Sequence, residues 1–386
     1  MDEMPGSAEA GDRLRRTALR DFGPPVDQSE DGAQNNHRLE LSRTDAPVPR
    51  LMMYALRLIG LNARGPGEKV AWWVDFSYQG QRCELAHQKF GLRLYLRTAL
   101  PAVEAKKLLR QIAKQLRAST RVVEKLLLAS APELLAHGDA TVVNQRSTLH
   151  RAYAYFRARA VNPNFIADKR EEHRSKDGRL LSTSFSDGQI LMQMNAFHDL
   201  VAAITAYLSL LEHNLVLALA FTDFNPAQDQ LTAFIGCKWG QKFRRVLGAE
   251  GDAGRFLVRL TAVVERWRNP YSHGGFEKSR GATVYLHAPG VGPVPVGLTA
   301  VRDSPMFSLL PASDTDIEQV FQLFDEFDEW LKCVMPDAVA WIESGLDIRF
   351  DEEFRSALAS AQSSGKFDEF LQQAVYRQEM HDNMDY

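Results

Sequence analysis

Cysteine is scarce in this 386-residue chain: Cys83, Cys237 and Cys333 are its only three, far apart and odd in number. No CxxC pair occurs, so neither a disulfide framework nor a zinc ribbon is supported, and no bound metal is expected. Such usage suits a reducing cytoplasm. Long apolar runs are also lacking. The longest uncharged one, Leu200 to Leu211, is too short to span a bilayer and runs into Glu212-His213-Asn214. Met1 to Arg50 holds no apolar stretch of the secretory kind, so a soluble chain with no membrane partner is expected. Positive charge is not in surplus either. With 46 Lys and Arg against 49 Asp and Glu, the net charge of −3 gives no global attraction to nucleic acid. Any such binding must come from local patches. Finally, no Gly-rich phosphate loop, Ser-His-Asp arrangement or metal-ligand spacing stands out, which speaks against kinase, hydrolase and metalloenzyme chemistry and against a cofactor.

What is present reads as a mainly α protein carrying a small α+β N-terminal domain. Residues 1–48 have few aliphatics and many Asp, Glu, Gln, Asn and Pro, and are expected to be disordered. An N-terminal domain is expected over 49–165. Order is expected to begin near Leu51–Leu56, and after a break at Gly65-Pro66-Gly67 strands follow at Val70–Tyr78 and Leu92–Leu96, the first turning at Gln79-Gly80. From Ala102 the apolar residues Leu108, Leu109, Ile112, Leu116, Val123, Leu126 and Leu127 recur at helical spacing. A helix over Thr148–Ala160 stops at Asn162-Pro163-Asn164, and the polar stretch 166–188 reads as a linker.

A helical domain is expected over 189–345. Its first helix, Gln189 to Phe221, is apolar nearly all round, as a central helix should be. Arg255 to Arg268 is amphipathic, with Phe256, Leu260, Val263, Val264 and Trp267 on one side. A Gly- and Pro-rich insertion, 281–312, precedes a helix that Ser313 could cap, in which Ile317, Val320, Phe321, Phe324 and Phe327 face inward. Residues 346–386 read as a weakly apolar helical tail that could pack on a partner.

The chemistry-bearing segment is Arg268-Asn269-Pro270-Tyr271-Ser272-His273-Gly274, at the end of that amphipathic helix. Arg and His five positions apart mean little alone. With 33 Arg and 10 His, about 0.85 such pairs arise by chance, and Arg82/His87 is a second, lying in the strand region. Asn directly after the Arg and Gly directly after the His reduce the chance expectation to about 0.002. The pattern resembles the Arg-Asn-x-x-x-His-Gly signature of HEPN domains, small helical bundles named for higher-eukaryote and prokaryote nucleotide binding. The resemblance covers roughly 189–340 and rests on this signature and the order of helices.

That resemblance implies an antiparallel helical bundle and, as in many members, a metal-independent endoribonuclease, plausibly a toxin or anti-phage defence protein. It also implies 2′,3′-cyclic phosphate products and a homodimer whose two chains share one cleft. The residue types suit the chemistry. His273 can move protons near neutral pH as general acid/base. Arg268 can hold the scissile phosphate bidentately, and Asn269 can orient both. Pro270 disfavours helical geometry at Asn269. The helix is therefore expected to end near Arg268, with Asn269 capping a new turn that has Pro270 at its first position. Glu212, a charge inside an apolar helix, could pair with Arg268 or lie on a solvated stripe. Tyr271 could stack on a base, though packing is the commoner role.

A second signal lies in 108–127, which resembles a helix-turn-helix hairpin. Lys106, Lys107, Arg110, Lys114, Arg117, Arg121 and Lys125 make it the basic patch where nucleic acid could bind, against the plainer reading of a solvated face. Two alternatives to an RNA-cleaving enzyme stay open. One is a non-catalytic HEPN-like dimer that binds nucleotide or protein. The other is a DNA-binding regulator using the 108–127 hairpin, with DNA or a regulatory partner engaged by the N-terminal domain.

Overall fold

A computed structural model describes residues 4–26, 35–272, 274, 284–296 and 304–384. It divides into two compact units, Met1–His137 with Asp368–Tyr386, and Gly138–Phe367. Helix predominates in both sequence halves, with a modest antiparallel sheet confined to the first unit.

In the first unit, α1 (Ser7–Arg16), α2 (Pro49–Leu58) and α3 (Ala102–His137) accompany β1 (Phe22–Gly23), β2 (Asn35–Leu41), β3 (Ala63–Arg64), β4 (Val70–Tyr78), β5 (Gln81–Gln88) and β6 (Gly91–Thr98). The sheet order is β1-β4-β5-β6-β2, with β3 paired to β4, and every pairing is antiparallel. Alternation decides which face is covered: Val74, Phe76 and Tyr78 of β4 and Leu92, Leu94 and Leu96 of β6 are buried against helix residues such as Met52, Leu56, Leu109, Ile112 and Leu116. The β4–β5 turn at Gln79-Gly80 has positive φ at both residues (48° and 78°), the geometry that matches hairpin twist.

Three expectations for this region are corrected. Residues 1–48 are ordered where described, because Leu14 and Leu19 are wholly buried and Leu41 and Ala46 nearly so. A helix with two or three inward residues among many charges keeps a disordered-looking composition. The 108–127 hairpin is not formed, since Ala102–His137 is one continuous helix. Arg117-Ala118 offers no Gly or Pro to break it, and Leu109, Ile112, Leu116, Ser119, Val123 and Leu126 stay buried along one side of it. The first stretch of the unit ends at His137, well before the expected 165, and Asp368–Tyr386 joins it from the far end of the chain.

In the second unit, α5 (Gly188–Ala218, extended by a 3₁₀ turn to Phe221) is the axis. Packed with it are α4 (Arg146–Val161), α7 (Trp239–Leu247), α8 (Gly251–Val263), α9 (Asn269–Ser272) and α10 (Asp314–Val334), while the short α6 (Leu231–Gly236) precedes α7 in the chain. Tyr207 of α5 stacks on Phe324 of α10 at 3.8 Å between ring centres, and Tyr153 of α4 packs on both. That aromatic cluster draws α4 into this unit and moves the division to 137/138. By length and composition Gly188–Phe221 could cross a membrane (mean hydropathy 1.6 in its most apolar window), which the shorter stretch Leu200–Leu211 did not show; 56% of that window is buried in protein. Ser313 caps α10 as expected, accepting from Asp316 N–H while the Asp316 carboxylate accepts from Ser313 N–H.

The expected linker 166–188 contains an exposed hairpin, β8 (Lys169–Arg174) and β9 (Leu180–Ser186), turning at Lys176-Asp177-Gly178. The 281–312 insertion likewise carries the hairpin β10 (Tyr285–Ala288) and β11 (Gly292–Pro295). The expected tail begins inside the unit. After α11 (Pro336–Ser344), β12 (Ile348–Arg349) pairs with β7 (Thr141–Val142), and α12 (Glu352–Ser363) buries Phe354 and Leu358. The last helix, α13, runs Phe367–Met384.

Candidate functional site

The segment bearing Arg268 keeps its helical course, against the expected break. α8 passes into a π-helical turn, Val264–Arg268, and then into α9, with Asn269 at φ −62° and ψ −41°. The Asn269 N–H donates to Val264 O, five residues back. Pro270 is the physical reason. In a regular helix its ring would collide with the carbonyl four residues earlier and its missing N–H would leave that carbonyl unbonded. A wide turn opens room for the ring without breaking the rod, and such turns recur at functional sites. Trp267 and Pro270 point inward. Gly274 has φ +76°, the left-handed conformation in which glycine ends helices, so part of that residue's signal in the sequence is structural.

Arg268 and Asn269 are half-buried and line a cavity of about 580 Å³ between α5, the start of α7 and the wide turn. Thr205, Ser209 and Glu212 of α5, Lys238, Thr261 and Glu265 complete its polar wall. Arg268 Nη1 donates to Asn269 Oδ1 at 3.3 Å, a contact that holds one edge of the guanidinium. Arg268 Nε is buried and has no hydrogen-bond partner among the described residues, and no ion pair joins Arg268 to any of them. A guanidinium with a spare donor edge is suited to an anion.

Glu212 lies in the same wall but is not the partner of Arg268. It pairs with Lys242 Nζ at 3.2 Å, and Lys242 is only 4% exposed. A buried ammonium needs a carboxylate within reach, and Lys242 of α7 takes this one. His213 is a satisfied boundary residue: its Nε2 accepts the Gln145 N–H at 2.9 Å, and burial lowers its pKa. Tyr271 sets its ring edge-to-face on Phe197 at 5.0 Å and remains 38% exposed, so it packs while keeping an open face. His273 lies outside the described residues.

In the first unit, all seven basic residues of α3 are exposed. Lys106, Arg110, Lys114, Arg117, Arg121 and Lys125 recur every three or four residues, forming one line about 28 Å long at 1.5 Å per residue. Lys107 stands beside it. Arg117 is tied to Asp45, whereas the others make no ion pair among the described residues. Without the hairpin, the regulator reading loses the helix that would enter a DNA groove. The basic line itself remains.

A second polar cavity, of about 350 Å³, lies between α4, α5, α10 and α11. None of its residues was singled out from the sequence. Asp325 and Asp328 alternate with the Phe residues of α10, and such acids next to core positions were the only available signal. No protein-family model, curated protein or solved structure matches this chain.

Proposed function

We propose that the second unit is a metal-independent endoribonuclease of HEPN type, acting as a homodimer on cytoplasmic RNA in toxicity or anti-phage defence. The observation that supports this reading is the side-by-side seating of Arg268 and Asn269 on the wall of a 580 Å³ cavity, with Arg268 Nε left without a hydrogen-bond partner among the described residues. Arg268 would clamp the non-bridging oxygens of the scissile phosphate, and Asn269 would hold its Nη1 edge in place. His273 would carry the proton traffic. The 2′-oxygen attacks phosphorus as its proton leaves to a base, and the P–O5′ bond breaks as the 5′-oxygen gains a proton. The products are a 2′,3′-cyclic phosphate and a 5′-hydroxyl. Two chains sharing a cleft would supply one His273 for each transfer.

The test is cleavage of structured and single-stranded RNA in EDTA by the wild type and by Arg268→Ala and His273→Ala. Wild-type cutting should fall about 10²–10⁴-fold on loss of His273. RNA left intact by the wild type, or cutting by both variants as fast as by the wild type, would overturn the proposal. The same open guanidinium also suits a nucleotide-binding dimer without catalysis. In that case RNA or nucleotide binds uncut, Arg268→Ala loses binding and His273→Ala keeps it.

A further inference from the structure

Thr205, Ser209 and Glu212 of α5 face the Arg268 cavity, whereas Tyr207, Leu211 and Asn214 face the second one, on the other side of the same helix. Charge matching inside that second pocket is incomplete. Arg157 of α4 forms a two-pronged pair with Asp325 of α10, both contacts at 2.6 Å. Arg146 of α4 pairs with Glu343 of α11 at 2.8 Å, and Lys332 of α10 with Glu329 at 2.8 Å. All three cations are thereby committed. Of the four carboxylates lining the pocket, only Asp328 has no cation of its own.

Asp328 Oδ1 accepts a hydrogen bond from Tyr207 at 2.7 Å, and Oδ2 accepts none from a described residue. Burial pushes this carboxyl up to about 6. Asn214 contributes a second unanswered acceptor: its Oδ1 is shielded from solvent and receives no hydrogen bond from a described residue. Tyr153 and Tyr207 give the pocket aromatic walls. A half-buried carboxylate that Arg146 and Lys332 influence only at a distance, and a shielded amide oxygen without a donor, both cost free energy, and a ligand that answers both recovers it.

We propose that this pocket binds a small organic monocation with N–H donors, an alkylammonium or guanidinium ion, whose charge Asp328 takes and whose second N–H Asn214 Oδ1 accepts. An anion would find every cation already paired. A multidentate metal site is not built here, because no group of three or more His, Cys, Asp or Glu suited to a metal occurs among the described residues. The volume admits a side-chain-sized ion and excludes a polymer. This site is independent of the ribonuclease reading and would stand if that reading failed.

The experiment titrates the full-length protein at pH 7.5 with methylguanidinium, ethylammonium, tetramethylammonium and inorganic phosphate, following amide NMR shifts around Asn214 and Asp328. The first two should bind saturably, and tetramethylammonium, which has the charge but no N–H, should not. Asp328→Asn should weaken binding at least tenfold, as should Asn214→Leu, which keeps the bulk and removes the acceptor. Below pH 6 the carboxyl is mostly neutral, so affinity at pH 5 should be about tenfold lower than at pH 7.5. His150 also faces the pocket, so the pH comparison is repeated in His150→Gln. Equal binding of tetramethylammonium, undiminished binding by both variants, saturable phosphate binding at this pocket, or no saturable binding at all would overturn the proposal.

Discussion

Asp328 offers a stability measurement that needs no ligand. Its folded pKa of about 6 stands above the unfolded value of 3.8. The folded protein therefore holds its proton more tightly, and stability falls as pH rises from about 4 to 6, after which the penalty is constant. A gap of roughly two units at 1.36 kcal/mol each gives about 3 kcal/mol at pH 7.5 and about 0.6 kcal/mol at pH 4, upper values for a group that keeps some solvent contact. Asp328→Asn removes the ionisation while keeping an oxygen for Tyr207 to donate to. The variant should be more stable than wild type by about 2–3 kcal/mol at pH 7.5, and the advantage should shrink below about 1 kcal/mol at pH 4. For a unit of this size that is a rise in Tm of roughly 5–10 °C at pH 7.5. Urea denaturation of both proteins at the two pH values reads it directly. A difference that does not change with pH, or a variant less stable at pH 7.5, would refute the reasoning.

Three further outcomes are expected. Glu212→Ala should cost about 3–5 kcal/mol by leaving the Lys242 ammonium buried without a partner, whereas Glu212→Ala with Lys242→Met should recover most of it; denaturant midpoints check both. Ala118→Gly should destabilise by about 1 kcal/mol because it falls inside a continuous helix, where a turn at that place would have been neutral or stabilised. Changing Lys106, Arg110, Lys114, Arg121 and Lys125 together to Gln should leave folding intact. If the line contacts single-stranded RNA phosphates, it should also flatten the slope of log affinity against log salt by about 3.5, and an unchanged slope would show that it does not touch the backbone.

Much of the architecture was legible because alternation and helical spacing act locally. β4, β6, α4, α5 and the inward phenylalanines of α10 all follow from which neighbours share a face. What stayed hidden depends on partners far along the chain. Leu14 and Leu19 are core residues only because α2, α3 and the sheet cover them, and charge-rich surroundings masked that. The end of the first unit was misplaced because α4 joins the second through Tyr153, whose partners Tyr207 and Phe324 are distant in sequence. At the candidate site, Arg268 and Asn269 were found from their order alone, but the partner of Glu212 was not. Nothing in a linear sequence says that Lys242 reaches it first. Pro270 points to a helix end because a proline's effect on a regular helix is well defined, while its accommodation by a wider turn is not written in local spacing.

A π turn is, in effect, one residue inserted into a helix that would otherwise run straight. Each added residue rotates everything beyond it by about 100°. The helix face on which Arg268 stands is therefore set by how many residues separate it from Leu260, before its bond to Asn269 holds the guanidinium edge. Removing a single residue upstream, with every side chain of the site retained, would swing Arg268 away from its cavity.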